Sequence, residues 1–177
     1  MRTTIAAAFL FTACHVASDA QFTGMANAAR AGNVATIRQL AAQGADPNAI
    51  AGQNAWTPLL HAIHTHQNAS VAALLASGAD VNRAGGDGFT PLMMAAGYGY
   101  DDTVQLLLKH GANPALQSAD GETALDWALA GTADIDRFTF FTCQDSTARL
   151  LRGAAPSVAP KPRSRRWAAM KRCNQAS

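Results

Sequence analysis

The chain has 177 residues, 49% of them hydrophobic and only 15% charged, with 14 lysines and arginines against 12 aspartates and glutamates. That length accommodates one domain, or one domain with tails, and no stacking platform or nucleic-acid-binding motif is visible along it. The small net charge of +2 hides a division: residues 21–155 hold 7 basic and 11 acidic side chains, a net −4, whereas residues 156–177 hold six basic and no acidic ones, a net +6.

The first twenty residues read as an address rather than as structure. "MR" gives a positive start, "TTIAAAFLFTACHVA" a short apolar run, and "SDA" small residues before Gln21, which is the pattern of a secretory signal cleaved after Ala20. The apolar run is too short to span a bilayer as a mature helix. The expected location is therefore the periplasm or the cell exterior. An alternative uses "FTAC", where Cys14 becomes a lipidated N-terminus and anchors the protein to the envelope, although Phe11 stands where such motifs favour Leu or Val. Export leaves Cys143 and Cys173 in an oxidising compartment, where they could pair; two free thiols are the equal alternative.

From residue 22 onward the chain repeats itself. "WTPLLHA" begins at Trp56, "FTPLMMA" at Phe89 and "ETALDWA" at Glu122, so Thr57, Thr90 and Thr123 lie 33 residues apart. Behind them run "GADPN" at Gly44, "GADVN" at Gly78 and "GANPA" at Gly111. A degenerate first copy, "TGMANAARAGNVATIRQLAAQGADPN", starts at Thr23. The threonines are placed as helix N-caps, and Pro58 and Pro91 sit in the first turn, where a missing N–H costs nothing. The glycines end the second helices, and Asp87-Gly88 and Asp120-Gly121 are turn chemistry for a projecting tip. The units fall at about 22–50, 51–83, 84–116 and 117–155, with 156–177 a basic tail expected to be disordered. In the fourth unit Ala124 replaces the proline, and an insertion around "DRFTFFTCQ", residues 134–144, precedes "STARLLRGAA".

This pattern, in phase over roughly residues 22–155, resembles the ankyrin repeat. The resemblance implies an all-α solenoid of about four helix-turn-helix units with β-hairpin-like tips, stacked because no unit buries its apolar face alone. It also implies a non-catalytic function, the binding of a partner protein through the tips and the concave face of the first helices. Trp56, Phe89 and Glu122 precede the three threonines and stand near the tips; His64, Thr65, Tyr98 and Tyr100 accompany them on the first helices. Aromatic residues dominate interface energetics, which makes Trp56 and Phe89 the candidate anchors, with folding back onto their own hairpins as the alternative. Asp101 and Asp102 open a helix, where negative charge is favoured, and read as capping.

"HAIHTH", residues 61–66, invites a metal reading, and with it a lower-ranked alternative of a metal-dependent hydrolase. His61 and His64 share a helix face, but His66 turns away from them and no Glu lies nearby to act as a base. The histidines read as repeat variation, with His61 toward the interior and His64 toward the concave face. No G-x-S-x-G, P-loop or C-x-x-C motif is present, so no cofactor, metal or catalytic residue is expected. "NAS" at Asn68 matches a glycosylation sequon. The insertion could cap the open end of the stack or offer its phenylalanines to a partner. The tail could touch an anionic membrane surface. A monomer, binding one protein partner and no nucleic acid, is the expectation.

Overall fold

A computed structural model describes residues 24–50, 54–86, 88–130 and 144–160. The proposed signal segment with Cys14, the paired candidates Cys143 and Cys173, residues 134–143 of the insertion and the tail beyond Pro160 lie outside the described residues. Eight helices occur among the described residues: α1 (24–30), α2 (Val34–Ala42), α3 (Pro58–His64), α4 (Asn68–Ala76), α5 (Pro91–Tyr98), α6 (Asp101–Lys109), α7 (Ala124–Ala130) and α8 (Asp145–Ala154). They follow one another as four pairs. No helix among them is long and apolar enough to cross a membrane.

The threonines start the first helices as the sequence suggests. Thr57 Oγ1 accepts from the Leu60 N–H at 3.3 Å, and Thr90 Oγ1 accepts from the Met93 N–H at 3.2 Å. At α5 the Thr90 N–H also donates to Met93 Sδ at 3.5 Å, and at α7, where Ala124 replaces the proline, a carboxylate takes that reciprocal place. The Thr123 N–H donates to Asp126 Oδ2 at 2.8 Å while Thr123 Oγ1 accepts from the Asp126 N–H at 3.4 Å, a reciprocal cap in which Asp takes the role usually played by Glu. The second helices of the first three pairs stop at a left-handed residue. Gly44, Gly78 and Gly111 hold φ of 83°, 89° and 86°, and the next N–H in each case reaches back to Leu40, Leu74 or Leu107 at 3.0 Å. A side chain at such φ would be strained, which accounts for glycine at all three positions.

The "GADxN" segments join neighbouring units. Asp46, Asp80 and Asn113 each accept from the N–H two residues on, at 2.8, 2.9 and 3.0 Å, which folds the backbone into an Asx turn. Asn48 then bridges to the next copy: its Oδ1 accepts from the Asp80 N–H at 2.7 Å and its Nδ2 donates to the Gly78 carbonyl at 3.2 Å. Asn82 repeats both bonds with the Asn113 N–H and the Gly111 carbonyl, at 2.8 and 3.3 Å. In the third copy the residue in this place is Ala115, which has no side-chain amide, so the ladder stops there.

Two layers result. α3, α5 and α7 pack side by side, and α2, α4, α6 and α8 form the second layer behind them. Between the layers Met25, Ile37, Leu59, Leu60, Ile63, Val71, Leu74, Leu92, Met93, Val104, Leu107 and Leu151 are fully buried. Each such side chain contributes about 1.5–3 kcal/mol by leaving water. Leu75 and Leu106, on the second helices, are half-buried at the edge of this core. The tips close without a strand among the described residues: the Gly85 N–H meets the Phe89 carbonyl at 3.0 Å, and the Ser118 N–H meets the Glu122 carbonyl at 2.9 Å. The architecture is the all-α stack of helix pairs with hairpin-like tips that the repeats imply.

Candidate partner-binding site

The short connections after α3 and α5 set the geometry of the most distinctive surface. After the first helix of each of the first three pairs the chain turns sharply to start the second, and one residue takes a left-handed backbone. In the first and third pairs this residue is glycine, Gly32 with φ 74° and Gly99 with φ 72°; in the second it is His66, with φ 53°. A non-glycine residue there costs about 1–2 kcal/mol, so the imidazole is held where the backbone alone would favour glycine.

The neighbouring copy explains what the imidazole meets. The residue that precedes each second helix lies over the left-handed residue of the copy before it. Gln67 covers Gly32 and Gln144 covers Gly99, each so closely that a Cβ on the glycine would collide with the glutamine side chain. Over His66 the covering residue is Tyr100, and the two rings stack with centroids 3.8 Å apart and planes 9° from parallel. A glycine–glutamine pair at the flanking seams is thus a histidine–tyrosine pair at the middle seam.

From that pair a row of rings runs across α3 and α5. Tyr100 stacks with Tyr98 at 5.3 Å and 17°; Tyr98 meets His64 at 5.7 Å, its hydroxyl 2.9 Å from His64 Nδ1; His64 meets Trp56 at 5.2 Å. Trp56 also lies edge-on to His61, 5.4 Å away. Trp56, His64, Tyr98 and Tyr100 are half-buried, and His66 is exposed. Such contacts hold the rings in fixed orientations, which lowers the entropy lost when a partner covers them.

Acidic and amide groups close the far end of the row. Asp102 Oδ1 lies 3.2 Å from His66 Nε2 and accepts from the Thr103 N–H at 2.8 Å, while its Oδ2 accepts a short bond from Asn68 Nδ2. Partial burial opposes ionisation of this carboxyl, but the His66 bond, the Thr103 N–H, the charge of His66 and the Asn68 bond together outweigh it and hold Asp102 below the usual carboxylate range. The Asp102 side chain is still 60% exposed, so a carboxylate faces solvent at the end of the aromatic row. Asn68 Oδ1 also accepts from Thr103 Oγ1 at 2.5 Å, and Asp101 Oδ1 accepts from Thr147 Oγ1. Asp101 and Asp102 stand in the first turn of α6, where Asp102 accepts from the Thr103 N–H of its own helix, and both also bond across to a neighbouring copy. The capping reading is thus extended by links between copies. Asn68 in the "NAS" stretch is engaged on both sides of its amide, and Ser70 is fully buried, so the sequon is not presented as an acceptor.

Ser70 completes the comparison of seams. Its hydroxyl is buried with no hydrogen-bond partner among the described residues, whereas Thr103 and Thr147, one and two copies later, donate to Asn68 and Asp101 at the start of the preceding second helix. The residue that starts α2 is Val34, which cannot accept.

The remaining sequence candidates fall elsewhere. The Phe89 ring packs edge-on against Trp127 of α7, with centroids 4.4 Å apart and planes at 80°, and is half-buried. It does not join the row with Trp56. Thr65 uses its hydroxyl internally, with the Arg30 and His61 carbonyls each 3.1 Å away, tying α3 to α1. Glu122 closes its tip through its backbone, the N–H donating to Ser118 Oγ at 3.3 Å. The three histidines diverge, His61 and His64 to Trp56 and His66 to Tyr100. Among the described residues no three His, Cys, Asp or Glu side chains gather as metal ligands. His66 is the contact residue that sequence reasoning passed over. Its signal was its register, in line with Gly32 and Gly99.

Comparison with known proteins agrees with this architecture. A family model described as ankyrin repeats in three copies matches residues 5–85, and one described as ankyrin repeats in many copies matches residues 74–128. An ankyrin repeat-containing protein of Treponema pallidum (strain Nichols) is 34% identical over 101 residues, 57% of this chain and 34% of that protein. Rabankyrin-5 of Mus musculus is 41% identical over 85 residues, and the E3 ubiquitin-protein ligase hecd-1 of Caenorhabditis elegans is 48% identical over 64. These two matches cover 41% and 36% of this chain but only 7% and 2% of those proteins. The chain thus spans about a third of the first relative and less than a tenth of the other two. What they share with it is the repeat array, a protein-interaction module that is generally non-catalytic. By its two matching repeat models, its recurring sequence and its stacked helix pairs, the chain belongs to the ankyrin repeat family.

Proposed function

We propose that this protein is an exported, non-catalytic binding module that grips a partner protein with the aromatic row formed by Trp56, His64, Tyr98, Tyr100 and His66. The single observation that carries the reading is His66 itself. An imidazole stands on a left-handed backbone where the first and third copies use glycine, a local cost met by its stacking on Tyr100 and its bond to Asp102, and it extends the ring surface to the rim of the seam. Clustered, half-buried aromatic side chains are the residue type that anchors protein interfaces. Asp102, ionised and exposed at the end of the row, adds a directional charge. Export to the periplasm rests on the N-terminal sequence pattern.

Capture experiments test the surface. Immobilised chain is exposed to envelope and soluble fractions of its own cell, and retained proteins are identified by mass spectrometry. The pair Trp56→Ala with Tyr100→Ala should lose at least tenfold of the retained partner with helical circular dichroism preserved, whereas Gln105→Ala on the exposed side of α6 should retain it. Equal capture by the aromatic double variant would remove this surface from the account. Fractionation of cells carrying the wild-type chain or Cys14→Ser tests the location: the reading expects both in the soluble periplasm, and cytoplasmic recovery of either refutes export.

A further inference from the structure

The aromatic row has a candidate occupant within its own chain. Residues 161–172, "KPRSRRWAAMKR", carry six lysines and arginines, one tryptophan and no acid, and they follow directly from Pro160, where the described chain ends after α8. We infer that this basic segment docks in cis on the aromatic row of α3 and α5, with its arginines against Tyr98, Tyr100 and the Asp102 carboxylate, and so competes with the partner. The inference rests on the binding surface proposed above and names what covers it before a partner arrives.

Three observations support the docking. The first is charge: residues 21–155 carry a net −4 against the +6 of residues 156–177, and the carboxylate at the end of the row is both exposed and held ionised. The second is chemistry. Arginine prefers aromatic surfaces and pairs with carboxylates through a planar fork, and the row sets the half-buried Tyr98 and Tyr100 beside a carboxylate that is 60% exposed. The third is reach. An extended residue spans about 3.3–3.6 Å, so Arg166 can lie roughly 20 Å from Pro160 and Arg172 roughly 40 Å. Thr147 bonds to Asp101, so the start of α8 lies beside Tyr100 and Asp102 at the start of α6, and the ten residues of α8 run about 15 Å from there to the end that leads to Pro160, a span that the length of the segment covers. Tethering then supplies an effective concentration in the millimolar range, so a contact too weak to persist between separate molecules is well populated within one. A partner must displace the segment, and binding becomes sensitive to salt because the displaced contact is ionic.

The test uses the full chain in three forms: wild type; a tail variant with Arg163→Glu, Arg165→Glu and Arg166→Glu; and that tail variant with Tyr98→Ala and Tyr100→Ala added. The probe is a synthetic peptide of residues 161–172 carrying a fluorophore. Fluorescence anisotropy should show saturable binding to the tail variant, at least tenfold weaker binding to wild type, and loss of binding when the two tyrosines are removed or when salt is raised to about 0.5 M. Circular dichroism confirms that all three forms are folded. In parallel, the amide resonances of Tyr98, Tyr100 and Asp102 should shift between wild type and the tail variant, independently of protein concentration. Absence of peptide binding by the tail variant, or equal binding by wild type, overturns the inference. A shift that grows with protein concentration also overturns it, by making the occupant a second copy. Loss of the tail contact while capture of the partner still depends on Trp56 and Tyr100 would dismiss the tail and leave the proposed function standing. Loss of partner dependence on those residues would dismiss the surface itself.

Discussion

The seam between the second and third helix pairs differs from the seams on either side of it, although the same backbone builds all three. At the flanking seams glutamine folds over glycine, Gln67 over Gly32 and Gln144 over Gly99. At the middle seam tyrosine stacks on histidine, Tyr100 on His66. Hydrogen bonding differs too. The middle seam joins His66, Asn68, Asp102 and Thr103 in one connected set, the third seam joins Thr147 to Asp101, and the first leaves the Ser70 hydroxyl buried opposite Val34. A repeat array thus separates two tasks. Every seam must bury apolar area, but the polar residues at its rim vary, and here the middle rim carries stacked rings.

Substitutions at equivalent positions sharpen this contrast. The largest difference is expected between Thr103→Val and Ser70→Ala. The first removes a donor and leaves Asn68 with an unmet acceptor, and should cost about 1–3 kcal/mol in chemical denaturation. The second removes a buried hydroxyl that has no partner and introduces a better helix former, so stability should hold or rise by up to about 1 kcal/mol. Equal losses at the two sites would show that the seams are alike.

Next in size is the left-handed position. Gly99→Ala should cost about 1–3 kcal/mol, because φ is 72° and the new Cβ would run into Gln144. His66→Gly should leave stability within about 1 kcal/mol of wild type, since relief of the backbone offsets the lost ring contacts, yet it should weaken partner capture. Smaller still is Asn82→Ala, which removes two exposed bonds between copies and should cost about 1 kcal/mol. The smallest effect is on acid stability. Asp102 is held below its ordinary range in the fold, so its contribution is present above the unfolded carboxylate value and fades as pH falls below about 4 through the folded one. Melting curves between pH 3 and pH 6 should show a decline in wild type, part of which is missing in Asp102→Asn.

What could be read in the sequence was local. Thr57 and Thr90 cap the helices that follow them, and Gly44, Gly78 and Gly111 end the ones before them, because capping is decided within a few residues. The seam chemistry joins residues about 34 to 46 apart, as His66 to Tyr100 and Asp101 to Thr147, and no local pattern encodes it. The first-turn role of Asp101 and Asp102 could be read from their helix position, but their bonds across the seams to Thr147 and Asn68 could not. Phe89 sat in the same repeat position as Trp56, but the next copy offers it Trp127 where Trp56 meets two histidines. Aligning the copies by register before judging single residues would have singled out His66 against Gly32 and Gly99.

Site-specific photocrosslinking addresses the central claim most directly. A benzoylphenylalanine is placed at Tyr98, inside the aromatic row, and in a separate chain at the exposed Gln105 on α6, and each is irradiated in the cell that makes the protein. The account predicts a discrete heterologous adduct from position 98 and none from position 105. Adducts from position 105 with none from position 98 would contradict it and move the binding surface to the other layer of the stack.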